Sequence, residues 1–416
     1  MSQSQYRQIL TDHFPDEIQL LVGPTTLIYQ KQLFTHPKEG LKGLRYGENP
    51  GQEAALYRQV KGSLELGGQK YLGPEAATVS ALGEPGLMSG GEKHPSMTNF
   101  TDLDAGLNLA KWLTKPAAII IKHNNPSGVA IGGSLSSCFL RAYRADELSS
   151  FGGVVVFNRP LDLETAKLIG QFYVEVVAAP DFAEGVLDLL TQKPDLRVFK
   201  VPGMDKLAES GRSLLIKSLA DGGLILHQSM VNRIRTSADF LPAKATRKGE
   251  TIEALRTPTP EESEDLILAW AVLNAVSSNS VVVVKNETTV AIAGGQQSRL
   301  GVVQLAIDKA YHNYCQLRSQ ELHQSPYWRL ARDADPALTR AIAQEAKNAK
   351  AGLIGASLAS DGFFPFPDAV MEAMAHGISA FAHPGGSLQD FDSIKAVNDH
   401  SPPAAMVFTG QRAFKH

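Results

Sequence analysis

Ile119-Ile120-Ile121-Lys122-His123-Asn124-Asn125-Pro126-Ser127-Gly128-Val129-Ala130-Ile131-Gly132-Gly133 has an echo later in the chain, Val282-Val283-Val284-Lys285-Asn286-Glu287-Thr288-Thr289-Val290-Ala291-Ile292-Ala293-Gly294-Gly295. An apolar strand, a Lys, a polar turn, a Val-Ala-Ile strand and Gly-Gly recur in one order. Chance likeness between two hairpins competes with duplication. The same order of helix, hairpin, helix and strand around each copy favours duplication. A helix, two strands and then αβ units imply an α/β protein made of three-layer α/β/α halves with mixed sheets.

Outward from the first hairpin, apolar residues at Leu103, Leu107, Leu109 and Leu113 predict a helix over 101–113 that starts near Thr101 or Asp102 and is stopped by Pro116. Strands are expected at 117–122, 129–131, 154–157, 174–178 and 197–201, with helices at 134–148, 163–172 and 182–190. The second half reads as a helix over 261–276, strands 280–285 and 289–293 around Asn286-Glu287, and a helix over 299–314. Strands at 353–358, 378–382 and 404–409 then alternate with helices at 368–376 and 388–398, after an inserted helical segment near 319–350. The first hundred residues are rich in Gly and Pro and read as loops and short strands. The domain division expected is therefore 1–201 for the first half with its loop-rich start, 202–257 as connection, and 258–416 for the second half.

The 416 residues suit two or three domains rather than one, and 43% apolar with 20% charged residues is ordinary for a globular chain. A net charge of −3 gives no global pull toward nucleic acid or an anionic membrane, so neither is an expected partner. Cys138 and Cys315 are far apart and form no C-x-x-C, which excludes a disulfide framework and a thiolate zinc cage. The start of the sequence has no apolar signal core and the apolar runs are of strand length, so the expected location is cytoplasmic. No phosphate-binding G-x-x-x-x-G-K-[ST] loop, G-x-S-x-G elbow, helix-opening G-x-G-x-x-G or H-E-x-x-H occurs, and the 11 histidines do not cluster at ligand spacing.

Polar segments at strand ends and in tight turns carry the candidate chemistry. Arg45-Tyr46-Gly47-Glu48-Asn49-Pro50-Gly51-Gln52 concentrates Arg, Tyr, Asn and Gln among turn formers; a surface turn is the plainer reading. Lys122-His123 ends a buried strand. An ammonium there can stabilise developing negative charge beside an imidazole base, while a solvated Lys and a capping His are the bland alternative. Ser278-Asn279-Ser280 precedes the second hairpin, and Gly294-Gly295-Gln296-Gln297-Ser298-Arg299 follows it and opens a helix, a cradle for an anion or amide. Simple N-capping by Ser298 with an exposed Arg299 competes. Ser360-Asp361-Gly362-Phe363-Phe364-Pro365-Phe366-Pro367-Asp368 sets flat aromatics beside an Asp, suited to a planar ring or to a rigid core plug. The basic end, Arg412 to His416, directly follows a strand.

Together these segments resemble the 5-aminoimidazole-4-carboxamide ribonucleotide (AICAR) transformylase part of the bifunctional purine-biosynthesis enzymes. The likeness runs from Arg45-Tyr46-Gly47 to Arg412-x-Phe414-x-His416, with Lys122-His123-x-x-Pro126-x-Gly128, Ser278-Asn279-Ser280 with Gln296-Gln297-Ser298-Arg299, and Ser360-Asp361-x-Phe363 as its most specific elements. The resemblance implies a duplicated, zinc-free fold of cytidine-deaminase type; the zinc motifs of the deaminases are absent from this sequence. It implies formyl transfer from the co-substrate 10-formyltetrahydrofolate to the 5-amino group of AICAR, a late step toward inosinate (IMP). His123 would be the base, Lys122 the oxyanion stabiliser and proton donor to the leaving nitrogen, and Asn279 a second oxyanion donor.

Nucleotide contacts carry over to Arg45, Tyr46, Asn99, Phe151, Gly152, Glu175, Arg299, Phe363, Asp368 and Arg412, and folate contacts to Leu300 and Pro365. The family's Leu-Ser-Tyr-Asn-Asn is here Pro95-Ser96-Met97-Thr98-Asn99, which keeps only the last Asn and, after it, Asp102. No transition metal is expected, and a loosely held potassium ion is compatible with the sequence. A homodimer with shared sites follows from the resemblance. Only 44 residues precede Arg45, which leaves no room for the family's cyclohydrolase domain; the expectation is a chain that works with a separate IMP cyclohydrolase. The alternatives are a non-catalytic AICAR- or folate-binding sensor and a zinc-free deaminase relative acting on another nucleotide.

Overall fold

A computed structural model describes residues 9, 11–36, 38–49, 52–71, 73–74, 87–89, 94–204, 207, 212–333 and 336–416. Pro50 and Gly51 of the first polar segment, and the extreme N-terminus, lie outside them. The chain forms two compact units. One takes the described residues of Met1–Pro116, Ile121–Asn124 and Gly152–Val231; the other takes Ala117–Ile120, Asn125–Phe151 and Asn232–His416.

In the first unit the strands Val154–Phe157, Val176–Ala179 and Arg197–Lys200 run parallel, with Leu87–Ser89 antiparallel on the far edge. All the residues of Val154–Phe157 and Val176–Ala179 are buried, as expected for strands covered on both faces. The helix Met97–Ala110 packs on these strands. A side chain at Gly106 would bring its Cβ within 2.6 Å of Val156, so glycine there sets how closely helix and strand approach. The helix begins before Thr101. Its first turn is polar and hides from apolar periodicity, because the Asn99 side chain accepts from the Ser96 amide at 3.1 Å and closes a capping box. Farther toward the N-terminus, Glu17–Val22, Thr25–Gln32 and Leu56–Lys61 form a separate antiparallel sheet over Leu27, Leu64 and Tyr71.

The second unit holds a mixed sheet. Ser357–Ser360, Ala380–His383 and Ala405–Phe408 are parallel, while Val281–Lys285 pairs antiparallel with Ser357–Ser360 and with Thr288–Ala293. Thr288–Ala293 in turn pairs with Asn125–Ile131. Register explains the layers. Val283, Leu358, Phe381 and Met406 are cross-strand neighbours in one row, and they join one core with Val302, Ala306, Val370 and Ile394 from the helices Arg299–His323, Asp368–Ala375 and Asp390–Asp399. The helix Pro260–Leu273 packs on Val281–Lys285, Ser357–Ser360 and Ala380–His383. Helix, strand–turn–strand, helix and three parallel strands thus occur twice along the chain.

The 353–358 strand shifts. Leu353 and Ala356 are buried in a turn that follows Lys350–Gly352, and the strand is Ser357–Ser360. An apolar run of this length does not separate turn from strand by periodicity. The 299–314 helix continues to His323, and the inserted segment adds helices Tyr327–Asp333 and Pro336–Asn348, which close over Cys315, Leu330, Ile342 and Ala346. Among the described residues no helix is long and apolar enough to cross a membrane.

Two buried histidines give the fold an acid limit. Burial lowers His94 to about 4, and His94 is bonded to the Gly43 carbonyl. Burial and the nearby Arg299 charge lower His383 to about 3. An unfolded His takes its proton near pH 6.5, so below that pH the unfolded chain binds more protons and stability is lost on acidification. Each histidine should cost about 2 kcal/mol at pH 5. Denaturant melts at pH 7 and pH 5 check this; equal stability at the two would count against it.

Candidate functional site

In the first unit, Arg45 and Tyr46 are held by their main chain. The Arg45 amide donates to the Pro95 carbonyl at 2.9 Å, and the Tyr46 carbonyl accepts from Met97 at 3.0 Å. These bonds tie the segment to the start of the Met97–Ala110 helix, which the sequence pattern did not show. The following turn is closed by Gln52, whose side chain accepts from Asn49 at 2.9 Å. The Arg45 guanidinium, 4% exposed, lies over the Tyr46 ring and donates to its hydroxyl at 3.2 Å. Burial pushes Arg45 below its ordinary value, while Tyr46 and Glu175 pull it back.

Glu175 sits between two strands, its amide donating to Gly153 and its carbonyl accepting from Arg197. The fully buried Arg197 guanidinium also reaches its Oε2 at 3.4 Å. Gly152 has φ +72°, and a Cβ there would stand 3.2 Å from the Tyr173 ring and 3.9 Å from Glu175 Oε1. Gly152→Ala should therefore strain the backbone and press on the Tyr173 ring, lowering stability by about 1–3 kcal/mol. Chemical denaturation checks this, and unchanged stability would refute it.

Lys122 is half-buried at its strand end, and His123 and Asn124 are exposed in left-handed backbone at φ 53° and 59°. The Asn124 amide donates to the Asp102 carboxylate at 2.6 Å, and the His123 amide bonds to it as well. Burial pushes Asp102 up from its ordinary value, and these amides with the His123 ring oppose the rise. Glu175 is in electrostatic reach of both Arg45 and Asp102. The first unit thus gathers Arg45, Tyr46, Gly152, Glu175 and His123. Asn99 lies in the first turn of the helix whose Met97 amide donates to the Tyr46 carbonyl, with its side-chain oxygen engaged in the capping box.

In the second unit, the segments around Asn279 and Gln296 exchange main-chain bonds, Asn279 to Gln296 at 3.0 Å and back at 3.4 Å. The peptide bond between Ser278 and Asn279 is cis. Ser298 caps its helix by accepting from Gly301. Arg299, however, is only 8% exposed, contrary to the exposed-residue reading. Its guanidinium donates to the Ser280 carbonyl, Ser360 Oγ and Asp361 through Nη1, and to Asn279 Oδ1 at 2.8 Å through Nη2. Asp361, fully buried, also accepts from the Ser280 amide and the Ser278 hydroxyl, and its carbonyl accepts from Ala413. The sequence motif contained Asp361, but only the fold reveals it as the hub, because its partners come from separate segments.

The basic end is pinned. Ser278 donates to the Lys415 carbonyl and Lys415 Nζ reaches the Ala275 carbonyl at 2.9 Å. Arg412 is exposed and lies 5.7 Å from the Phe363 ring and 5.8 Å from that of Phe414. Phe364, by contrast, is a core plug against His383. Pro365 is half-buried, Leu300 packs on the core, and Asp368 is exposed at a helix start with Oδ1 on the Ala369 amide. Phe151 is exposed. The second unit thus gathers Asn279, Arg299, Phe363 and Arg412. Among the described residues no group of three or more His, Cys, Asp or Glu side chains is placed to hold a metal ion.

The family model described as AICARFT/IMPCHase bienzyme matches residues 3–309, which include Lys122, His123, Asn279 and Arg299; Phe363 and Arg412 lie beyond the match. The bifunctional purine biosynthesis protein PurH of Persephonella marina is 35% identical over 387 residues, 92% of this chain and 61% of that protein. PurH of Bacillus cereus is 33% identical over 378 residues, 91% of this chain and 60% of its own length, and PurH of Bacillus anthracis gives the same figures. The chain spans about 60% of the length of these relatives.

Proposed function

Since the chain belongs to the AICARFT/IMPCHase bienzyme family, we propose that it transfers the formyl group of 10-formyltetrahydrofolate to the 5-amino group of AICAR in purine biosynthesis. The observation that carries the reading is the Arg299–Asn279 bond. Arg299 Nη2 donates to Asn279 Oδ1, which fixes the amide with its NH2 group as the end that can donate to a ligand. Such a preset donor is what a tetrahedral oxyanion requires, and a buried guanidinium bonded through both Nη1 and Nη2 keeps it from turning.

In this reading the AICAR amine attacks the formyl carbon while His123 accepts the amine proton. Negative charge develops on the formyl oxygen and is met by the Asn279 amide and the Lys122 ammonium. Collapse breaks the bond to the folate nitrogen, which leaves with a proton from Lys122. Arg45, Tyr46, Glu175 and Arg412 serve the nucleotide, and the half-buried Phe363 ring suits its flat ring. Purified protein supplied with both substrates should form formyl-AICAR, followed by chromatography of the nucleotides. Binding of AICAR without turnover by folded protein would overturn the enzyme reading in favour of a sensor.

A further inference from the structure

The turn that carries Lys122-His123 is built twice in this chain, and only one copy bears candidate chemistry. Each begins with a helix of 14 residues, Met97–Ala110 and Pro260–Leu273, opened by a capping box on Ser96 and Thr259. The sixth residue of each is a buried Asp, Asp102 and Asp265. Each Asp accepts from the amides of a left-handed turn that directly follows a Lys. Asp102 takes Asn124 at 2.6 Å and also His123; Asp265 takes Asn286 at 3.0 Å and Glu287 at 2.7 Å. All four turn residues have φ between 52° and 60°.

The two copies differ in what hangs from the turn. In the second, Lys285 Nζ is spent on the Gly352 and Ile354 carbonyls, at 3.4 and 2.7 Å, and the candidate residues Asn279 and Ser280 lie at the other end of that strand. In the first, the clamped turn itself presents Lys122 and His123. Non-glycine residues in left-handed backbone cost roughly 1 kcal/mol each and persist only where something holds them. A carboxylate accepting two amides supplies that hold, with stronger bonds than a neutral acceptor makes.

We propose that Asp102 is a positioning residue for the formyl transfer, clamping the His123-Asn124 turn so that Lys122 and His123 face the reacting groups together, while Asp265 does the same mechanical work for a turn without chemistry. This rests on the functional reading above. A small displacement of a base and its neighbouring ammonium lowers the rate far more than it lowers substrate affinity.

The test uses the full chain with Asp102→Asn and the matched control Asp265→Asn. Amide hydrogen exchange reads each turn, and steady-state kinetics with AICAR and 10-formyltetrahydrofolate read the reaction. Asp102→Asn should speed exchange at His123 and Asn124 and lower kcat by about tenfold to a hundredfold with KM nearly unchanged. Asp265→Asn should loosen only its own turn and leave kcat unchanged. Adding Asn124→Gly to Asp102→Asn should recover part of kcat, because glycine enters left-handed backbone freely. That double variant also carries the measurement where Asp102→Asn alone folds poorly. An active wild type with undiminished kcat in Asp102→Asn, or an equal loss in Asp265→Asn, overturns the positioning role alone. An inactive wild type overturns the functional reading on which it rests.

Discussion

Lys122→Ala and His123→Ala should each leave a folded protein that still binds AICAR and has lost formyl transfer by about 10²- to 10⁴-fold. His123 is exposed and Lys122 half-buried, so truncation removes little packing. What it removes is the group that takes the amine proton, or the charge that meets the oxyanion. Alanine is a poor resident of the left-handed backbone at His123, so His123→Asn is the sharper variant. Asparagine keeps the turn but cannot serve as the base. Single-turnover kinetics beside a thermal melt separate the two effects. A near-wild-type rate in either Lys122→Ala or His123→Asn would remove that residue from the chemistry.

The elements whose burial is uniform were the readable ones. Val154–Phe157 falls where its four-residue apolar run stands, and the Asn286-Glu287 turn falls between the two strands expected around it. What escaped were features made by polar side chains acting on the backbone. The Met97–Ala110 helix starts four residues before Thr101 because Asn99 bonds back to Ser96, and a polar capping turn has no apolar period. Lys122-His123 was legible as an unusual pair at a strand end and Asp102 as an Asp near the expected helix start, but spacing gave no sign that the Asp102 carboxylate lies beneath that pair. Arg299 was legible as a helix-opening Arg, yet its burial depends on Asp361, more than sixty residues away in the chain. Spacing along the sequence carries no record of such a meeting.

That meeting carries the largest expected change in stability. Asp361→Ala should destabilise the second unit by about 3–5 kcal/mol, since it leaves the buried Arg299 guanidinium without its counter-charge. The carboxylate is fully buried and the Arg299 side chain is 7% exposed, so water cannot replace what is lost. The same change also strips the acceptor from the Ser280 amide and the Ser278 hydroxyl, and loosens the strand start that bears Asn279. Activity should fall with stability, and two further variants separate the causes. Arg299→Met with Asp361→Leu removes both charges and should recover much of the stability, because an apolar pair of similar volume needs no counter-charge. It should not recover turnover, because no guanidinium then holds Asn279 Oδ1 and the amide is free to present either end. Asn279→Ala alone should cost about 1–2 kcal/mol, less than Asp361→Ala because Arg299 keeps its counter-charge, and lower kcat by about 10²-fold or more. Chemical denaturation and initial rates on the same preparations decide between them. A charge-free double variant with wild-type turnover would show that Arg299 supports the fold without setting the oxyanion donor.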